Sequence, residues 1–416
     1  MSIPIQQIAD AVDADRLWDR HMTMATYGAL PGDGVCRQAL TAEDIAARRQ
    51  LLAWAGEHGY GTTVDAIGNL FIRRDGIDSA LAPVLTGSHM DSQPRGGRFD
   101  GIYGVLAGLE ALNALDTTGA ETRRAIEVVA WTNEEGGRYE PGSMGSMVFT
   151  GALELAECLA LCDADGVLLK DALAETLAST PGLESRDFSS PVAAYLEAHI
   201  EQGPRLESAN LCIGAVTGIQ GTRWFTITVC GDTGHAGTVP LAVRRDALQG
   251  AVAIVQALNE LTVDSDDIVK FTVGRFNVEP NAPNSIADRV IFTVDLRHPD
   301  AGVLTRLGDA IPERCHEAAP RCEVEIIETA TNMPCEFDPA VVAAVEDVAR
   351  ELELGSMRMP SGAFHDAQHM NALCPTGMIF VPCRGGISHS PAEYAGPQSL
   401  AAGTKVLAAT LYRLAS

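Results

Sequence analysis

The spacing of apolar and polar positions divides the chain into two textures. Up to about residue 211, long segments with helical periodicity alternate with short apolar runs. "TAEDIAARRQLLAWAGEHG" repeats its apolar residues every three or four positions and opens on Thr41, with Glu43 and Asp44 in the first turn. "APVLTGSH" and "AIEVVAWTNEE" are apolar runs that break off in polar residues. Such alternation predicts an α/β sheet covered by helices. From about residue 212 the pattern changes. "TRWFTITVCGDTG", "DIVKFTVGRFNVEPN", "RVIFTVDLRHP" and "EVEIIETATN" read as strands, with helices over "RRDALQGAVAIVQALNEL" and residues 300–319. Beyond them, "AVVAAVEDVARELEL" reads as a helix and "TGMIFVPC" as a buried strand, returning the chain to its first texture. The organisation predicted is one α/β domain built from residues 1–211 and 329–416, with residues 212–328 inserted as an α+β two-layer domain.

Composition narrows the function classes. A chain of 416 residues exceeds one ordinary core, and roughly 150 residues per domain allows two or three. The 46% hydrophobic and 20% charged content describes a globular protein, without a run of about 18 apolar residues that could span a bilayer. The opening "MSIPIQQIADAVDADRLWDRH" lacks a basic segment followed by an apolar one, so the expected location is cytoplasmic. A formal net charge of −25 argues against nucleic acid as a partner, since phosphate binding needs clustered Lys and Arg. The ten cysteines form no C-x-x-C and are expected to be reduced core filler. Cys158 and Cys162 are expected one turn apart on a helix.

Candidate chemistry lies where apolar runs end. Of the ten histidines, His21, His58, His298 and His316 stand in polar or helical surroundings that suit solvated or capping roles. The others cluster in "GSHMDSQPRGGRFDGIYG", "YLEAHIEQGP", "GDTGHAGTVP", "SGAFHDAQHM" and "RGGISHSPAEY". His89 and Asp91 alternate at a strand end, so the aspartate can fix the imidazole while its other nitrogen binds a metal; a plain surface contact is the blander reading. Asp100 could cap the helix that follows it, or bridge two ions. Glu134 and Glu135 are adjacent. If both face one pocket, one can ligate while the other accepts a proton from a water, with cations relieving their repulsion. His89, Asp100, Glu135, His199 and His389 together make five oxygen and nitrogen donors. With one carboxylate shared, they suit two divalent ions of hydrolytic type, zinc, manganese or cobalt.

From "TGSHMDS" to "SHSPAE" the chain resembles the amidase/hydantoinase/carbamoylase family, the ureido-cleaving branch of the dinuclear aminoacylase and carboxypeptidase superfamily. The resemblance implies a mixed-sheet, zinc-peptidase-like catalytic domain carrying an inserted dimerisation and lid domain, and hence a homodimer. It implies His89, Asp100 and His199 at one metal and Asp100, Glu135 and His389 at the other, with Glu134 as general base and Asp91 orienting His89. His235 is implied to reach the neighbouring subunit's site as oxyanion stabiliser, and Gln202, Asn284 and Arg297 to contact substrate. A guanidinium fork at Arg297 also suits a substrate carboxylate on physical grounds, although a strand-surface salt bridge is the reading the residue alone favours. His199 stands where the peptidase and acylase branches usually carry a carboxylate. The activity implied is hydrolysis of a linear C–N bond, first an N-carbamoyl L-amino acid or N-carbamoyl-β-alanine, alternatively allantoate or a ureidoglycine-type substrate. An N-acyl amino acid hydrolase or dipeptidase, and a non-catalytic metal-binding protein, rank lower. Phe364 in "SGAFHDAQ" departs from the glycine expected there and puts the substrate in question more than the chemistry.

Overall fold

The computed structural model describes residues 3–188 and 190–416. The chain forms two compact units, Met1–Gly218 with Glu336–Ser416, and Ile219–Cys335. Each division lies seven residues beyond the one read from the sequence. The strand Ile213–Ile219 explains the first shift, because it completes the sheet of the first unit before the chain leaves it.

Four parallel strands form the middle of that sheet, in the order Thr376–Val381, Ala194–Ile200, Val84–His89, Ile126–Trp131. Antiparallel strands flank them, Ile213–Ile219 on one side and Leu70–Arg74 with Gly61–Val64 on the other. The sheet is therefore mixed. Every residue of the four central strands is buried, which is why their sequences lack the regular apolar–polar alternation of a half-exposed strand. The helix Ile102–Thr118 packs on three of them and is buried from Ile102 to Leu115, so its sequence is apolar all round. Its contact with the sheet depends on Gly104. A Cβ there would lie 2.5 Å from the Ala198 carbonyl and 2.7 Å from the Ser88 Cβ.

In the second unit, four antiparallel strands run in the order Lys270–Glu279, Arg289–His298, Gly221–Cys230, Glu323–Asn332. Period-two alternation places Phe225, Ile227, Val229, Phe292 and Val294 on one face, packed with Ile254 and Leu258 of Ala247–Leu261 and Leu304 and Ile311 of Ala301–Ala318. That is a two-layer α+β unit with its own core.

Two local expectations fail. The helix holding Cys158 is only Leu155–Leu159, because the chain turns through Asp163, whose amide donates to the Val167 carbonyl; Cys162 lies outside the helix and is exposed. His21 is fully buried rather than solvated, with Phe99 and Tyr103 rings 5.6 and 6.0 Å away. Burial pushes its pKa down to about 3. Among the described residues no helix is long and apolar enough to cross a membrane.

Replacing Gly104 tests the close helix–sheet approach. Gly104→Ala is expected to destabilise the protein by about 1–3 kcal/mol through overpacking, read as a lowered thermal midpoint; an unchanged midpoint would contradict it.

Candidate metal centre

Parallel strands bring their carboxyl ends to one edge of a sheet, and loops leaving that edge share the space beyond it. His89 ends Val84–His89, and His199 is the penultimate residue of Ala194–Ile200. Glu134 and Glu135 follow Ile126–Trp131, and His389 lies in the loop after Thr376–Val381. Asp100 enters from the turn preceding Ile102–Thr118, where Gly101 has φ +67° and a Cβ would meet the His89 ring at 2.2 Å. Only glycine fits there. The Asp100 carboxylate does not cap the helix; it faces the histidines.

Two donor groups share Asp100: His89, Asp100 and His199 form one, and Asp100, Glu135 and His389 the other. One carboxylate oxygen, Oδ1, lies 3.1 Å from His199 Nε2 and 3.8 Å from His89 Nε2. The second, Oδ2, is 3.3 Å from His389 Nε2, which lies 3.4 Å from Glu135 Oε2. Donors about 2.0–2.1 Å from a tetrahedral ion lie about 3.4 Å apart. The observed spacings match that figure on both sides of Asp100. His389 is about half exposed, with 53% of its side chain accessible, whereas the side chains of the other four donors are at most 5% accessible.

Glu134 belongs to neither group. Its Oε2 is 3.4 Å from His89 Nε2, beside the first group. Asp91 acts in a different way from the carboxylate–imidazole contact expected. His89 Nδ1 pairs with the backbone carbonyl of Asp91 at 2.9 Å, while its carboxylate is 3.8 Å from that nitrogen. The carboxylate instead accepts the amides of Glu134 and Glu135, each at 3.2 Å. One residue thus holds both the histidine and the glutamate pair. Gln202, with φ +55°, donates to Asp100 Oδ2 at 2.9 Å.

Two buried acids around the donors, Glu197 and Glu393, were missed by sequence reasoning, whereas His365 and Asp366 do lie in a loop beside the donors, as "SGAFHDAQ" leads one to expect. Glu197 shares a strand face with His199 two residues on, and accepts from Ser88 and from the Ala367 amide. Asp366 accepts from the Ser146 hydroxyl, and the neighbouring His365 ring lies 4.4 Å from that of His199. Glu197, His199 and His365 form a third close group, but Glu197 is taken up by its hydrogen bonds and His365 Nε2 pairs with Ser361. The alternation of Glu197 with His199 was the one available signal.

His235, Asn284 and Arg297 belong to the second unit. His235 pairs with Ser285 in a two-stranded ribbon, and the Ala236 amide donates to the Asn284 carbonyl at 3.0 Å, so these two segments are neighbours. Arg297 lies on the central strand Arg289–His298, its fork on Asp295 at 3.0 Å from Nε and 2.9 Å from Nη2.

The electrostatics of the donor set call for positive charge. Burial, then Asp366, Glu135, Asp91 and Asp100, holds Glu134 well above the usual carboxyl range. Burial and Asp100 push Glu135 up to about 8, and burial with Asp44 pushes Asp91 up to about 7. Asp100 is held well below the usual range: burial opposes this, but hydrogen bonds from His199 and His389 outweigh it. Those bonds raise both histidines to about 9, for His199 against the effect of burial. Two divalent cations would take the place of the imidazolium protons and offset the crowded carboxylates. The residues fit such ions in donor type, spacing and charge; their identity does not follow from the geometry.

The model of peptidase family M20/M25/M40 matches residues 85–413. The chain belongs to this family. Within it, the similarity runs to the hydantoinase/carbamoylase amidases. A solved member of that group from Burkholderia multivorans superposes with a TM-score of 0.92 at 44% identity, over 97% of this chain and 98% of that one. An N-carbamoyl-L-amino acid amidohydrolase of Geobacillus stearothermophilus is 38% identical over 97% of this chain and 99% of its own. An allantoate amidohydrolase of Bacillus subtilis is 34% identical over 94% and 95%. The mixed catalytic sheet with a separate antiparallel-sheet domain is the M20 architecture.

A pH dependence follows from these shifts. His199 and His389, with pKa about 9, and Glu135, about 8, carry protons at pH 7 that cations must displace. Cation binding should therefore release protons, and apparent affinity should rise as pH increases from 6 to 9. Calorimetry of Zn2+ binding in buffers of different ionisation enthalpy measures the release; none at pH 7 would contradict the assignment.

Proposed function

We propose that this protein is a dinuclear, metal-dependent amidohydrolase of linear C–N bonds, with an N-carbamoyl L-amino acid or N-carbamoyl-β-alanine as first-choice substrate. The observation that carries the reading is a carboxylate, Asp100, shared by two donor groups, with Glu134 beside them and outside both. Bound cations would supply Lewis acidity, polarising the ureido carbonyl and acidifying a water.

Glu134 accepts a proton from the water that attacks the ureido carbon. A C–O bond forms at that carbon, and the bond to the amino-acid nitrogen then breaks. The same glutamate returns its proton to the departing nitrogen, leaving the amino acid and a carbamate that decomposes to CO2 and ammonia. Burial of Glu134 among acids suits the second half of this cycle, because it favours the protonated form; neighbouring cations favour the ionised form needed in the first half. Asp91 keeps the glutamate pair aimed through their amides.

The proposal extends to a homodimer in which the inserted domain acts as dimerisation unit and lid. His235 would stabilise the oxyanion in the neighbouring subunit's site, and Gln202, Asn284 and Arg297 would contact substrate. Arg297 already holds a carboxylate, Asp295, in its fork, and an incoming substrate carboxylate would exchange with it. Allantoate is the second reading, supported by the similarity to an allantoate amidohydrolase, and it uses the same residues.

Two measurements test this. Glu134→Gln should lower kcat about 10²-fold or more while the protein still binds two ions; activity within tenfold of wild type would remove Glu134 as base. A panel of N-carbamoyl-β-alanine, N-carbamoyl-L-amino acids, allantoate and N-acetyl-L-amino acids, each with Zn2+, Mn2+ or Co2+, should show fastest turnover on a carbamoyl substrate. Rapid cleavage of the acetyl compounds without ureido activity would overturn the choice.

A further inference from the structure

The placement of Asp100 rests on a residue outside both donor groups. Glu393 is buried, with 1% of its surface exposed. Its Oε1 accepts the backbone amides of Phe99 at 2.8 Å and Asp100 at 3.1 Å, and its Oε2 accepts from the Ser388 hydroxyl at 2.9 Å. Ser388 precedes His389 in the chain, and its hydroxyl also lies 2.8 Å from Asp100 Oδ2. One side chain therefore joins the turn that carries the shared carboxylate to the loop that carries the His389 donor. The turn is moulded to it: a Cβ on Gly97 would lie 2.1 Å from Glu393 Oε1. Phe99, between the amides so held, is fixed from outside by the rings of Trp18 at 6.0 Å and Tyr394 at 5.9 Å.

We propose that Glu393 is the positioning residue of the dinuclear site, a clamp that sets where Asp100 stands between its two donor groups. The inference rests on the dinuclear reading above. Without the clamp, two buried amides lose their acceptor, and the turn must move to find another. Asp100 contributes to both groups, so any such movement weakens both together. A carboxylate that merely stapled two loops for stability would leave cation affinity unchanged in the folded protein.

Chelator competition with Zn2+ on the full-length protein, with ion stoichiometry by elemental analysis, tests the clamp without reference to any substrate. Wild type should hold two ions per chain. His389→Ala is the reference for damage to one donor group and should weaken one site only. Glu393→Ala should weaken both sites tenfold or more, the scale of loss for a group that orients ligands. Glu393→Gln keeps an oxygen for the two amides and should stay within tenfold of wild type at both. If Glu393→Ala does not fold, as judged by circular dichroism and thermal midpoint, Glu393→Asp withdraws the acceptor by one methylene and carries the same expectation as the alanine. A folded Ala or Asp variant that loses less than tenfold, or loses affinity at one site alone, overturns the clamp. So does a Gln variant as weak as the alanine, which would make charge rather than the amide bonds decisive. Wild type that binds fewer than two ions sinks the dinuclear reading and the clamp with it; two ions in wild type and in an unweakened alanine variant sink the clamp alone.

Discussion

Like charges packed out of water are the constraint around which the first unit is organised. Asp91, Asp100, Glu134, Glu135, Glu197, Asp366 and Glu393 are gathered around the carboxyl ends of the four central parallel strands of a mixed sheet, and nearly all of their side-chain surface is buried. Unpaired, such a group would destabilise the fold by several kcal/mol per charge. The protein answers with hydrogen bonds from backbone amides to Asp91 and Glu393, with hydroxyls of Ser88, Ser146 and Ser388, and with histidines drawn to Asp100. Bound cations would complete the answer, linking binding and stability through one set of side chains.

The parallel strands make this concentration possible. Each of the four central strands is buried along its length and carries donors at or just past its carboxyl end, so the strands that build the core also deliver the acids and imidazoles. Glycine then removes the obstacles. Gly101 lets the Asp100 turn pass against the His89 ring, and Gly104 lets the following helix settle on the strands that carry His89 and His199.

Much of this was legible in the sequence because periodicity and strand-end polarity are local signals. The helices Ala42–Glu57, Ala301–Ala318 and Pro339–Glu351 and the strand Thr376–Val381 all read directly from their patterns. What was not legible depends on partners far along the chain. Glu393 meets the Asp100 amide across 293 residues, and nothing in "SPAEY" announces an acceptor for distant backbone. His21 looked solvated from its neighbours because the aromatic rings that enclose it come from another segment. Asp91 shows a subtler limit. Its spacing from His89 was informative, yet its backbone carbonyl meets the imidazole while its carboxylate serves the glutamate pair.

The five donors also differ in how solvent reaches them. Four are enclosed, and His389 stands half open on a loop residue with φ +52°. An ion on the His389 side would have one solvent-accessible ligand, whereas one held by His89 and His199 would be walled by strand ends. Ions held in the two groups would thus be unequal, the one on the His389 side being the more open to exchange with the surrounding medium.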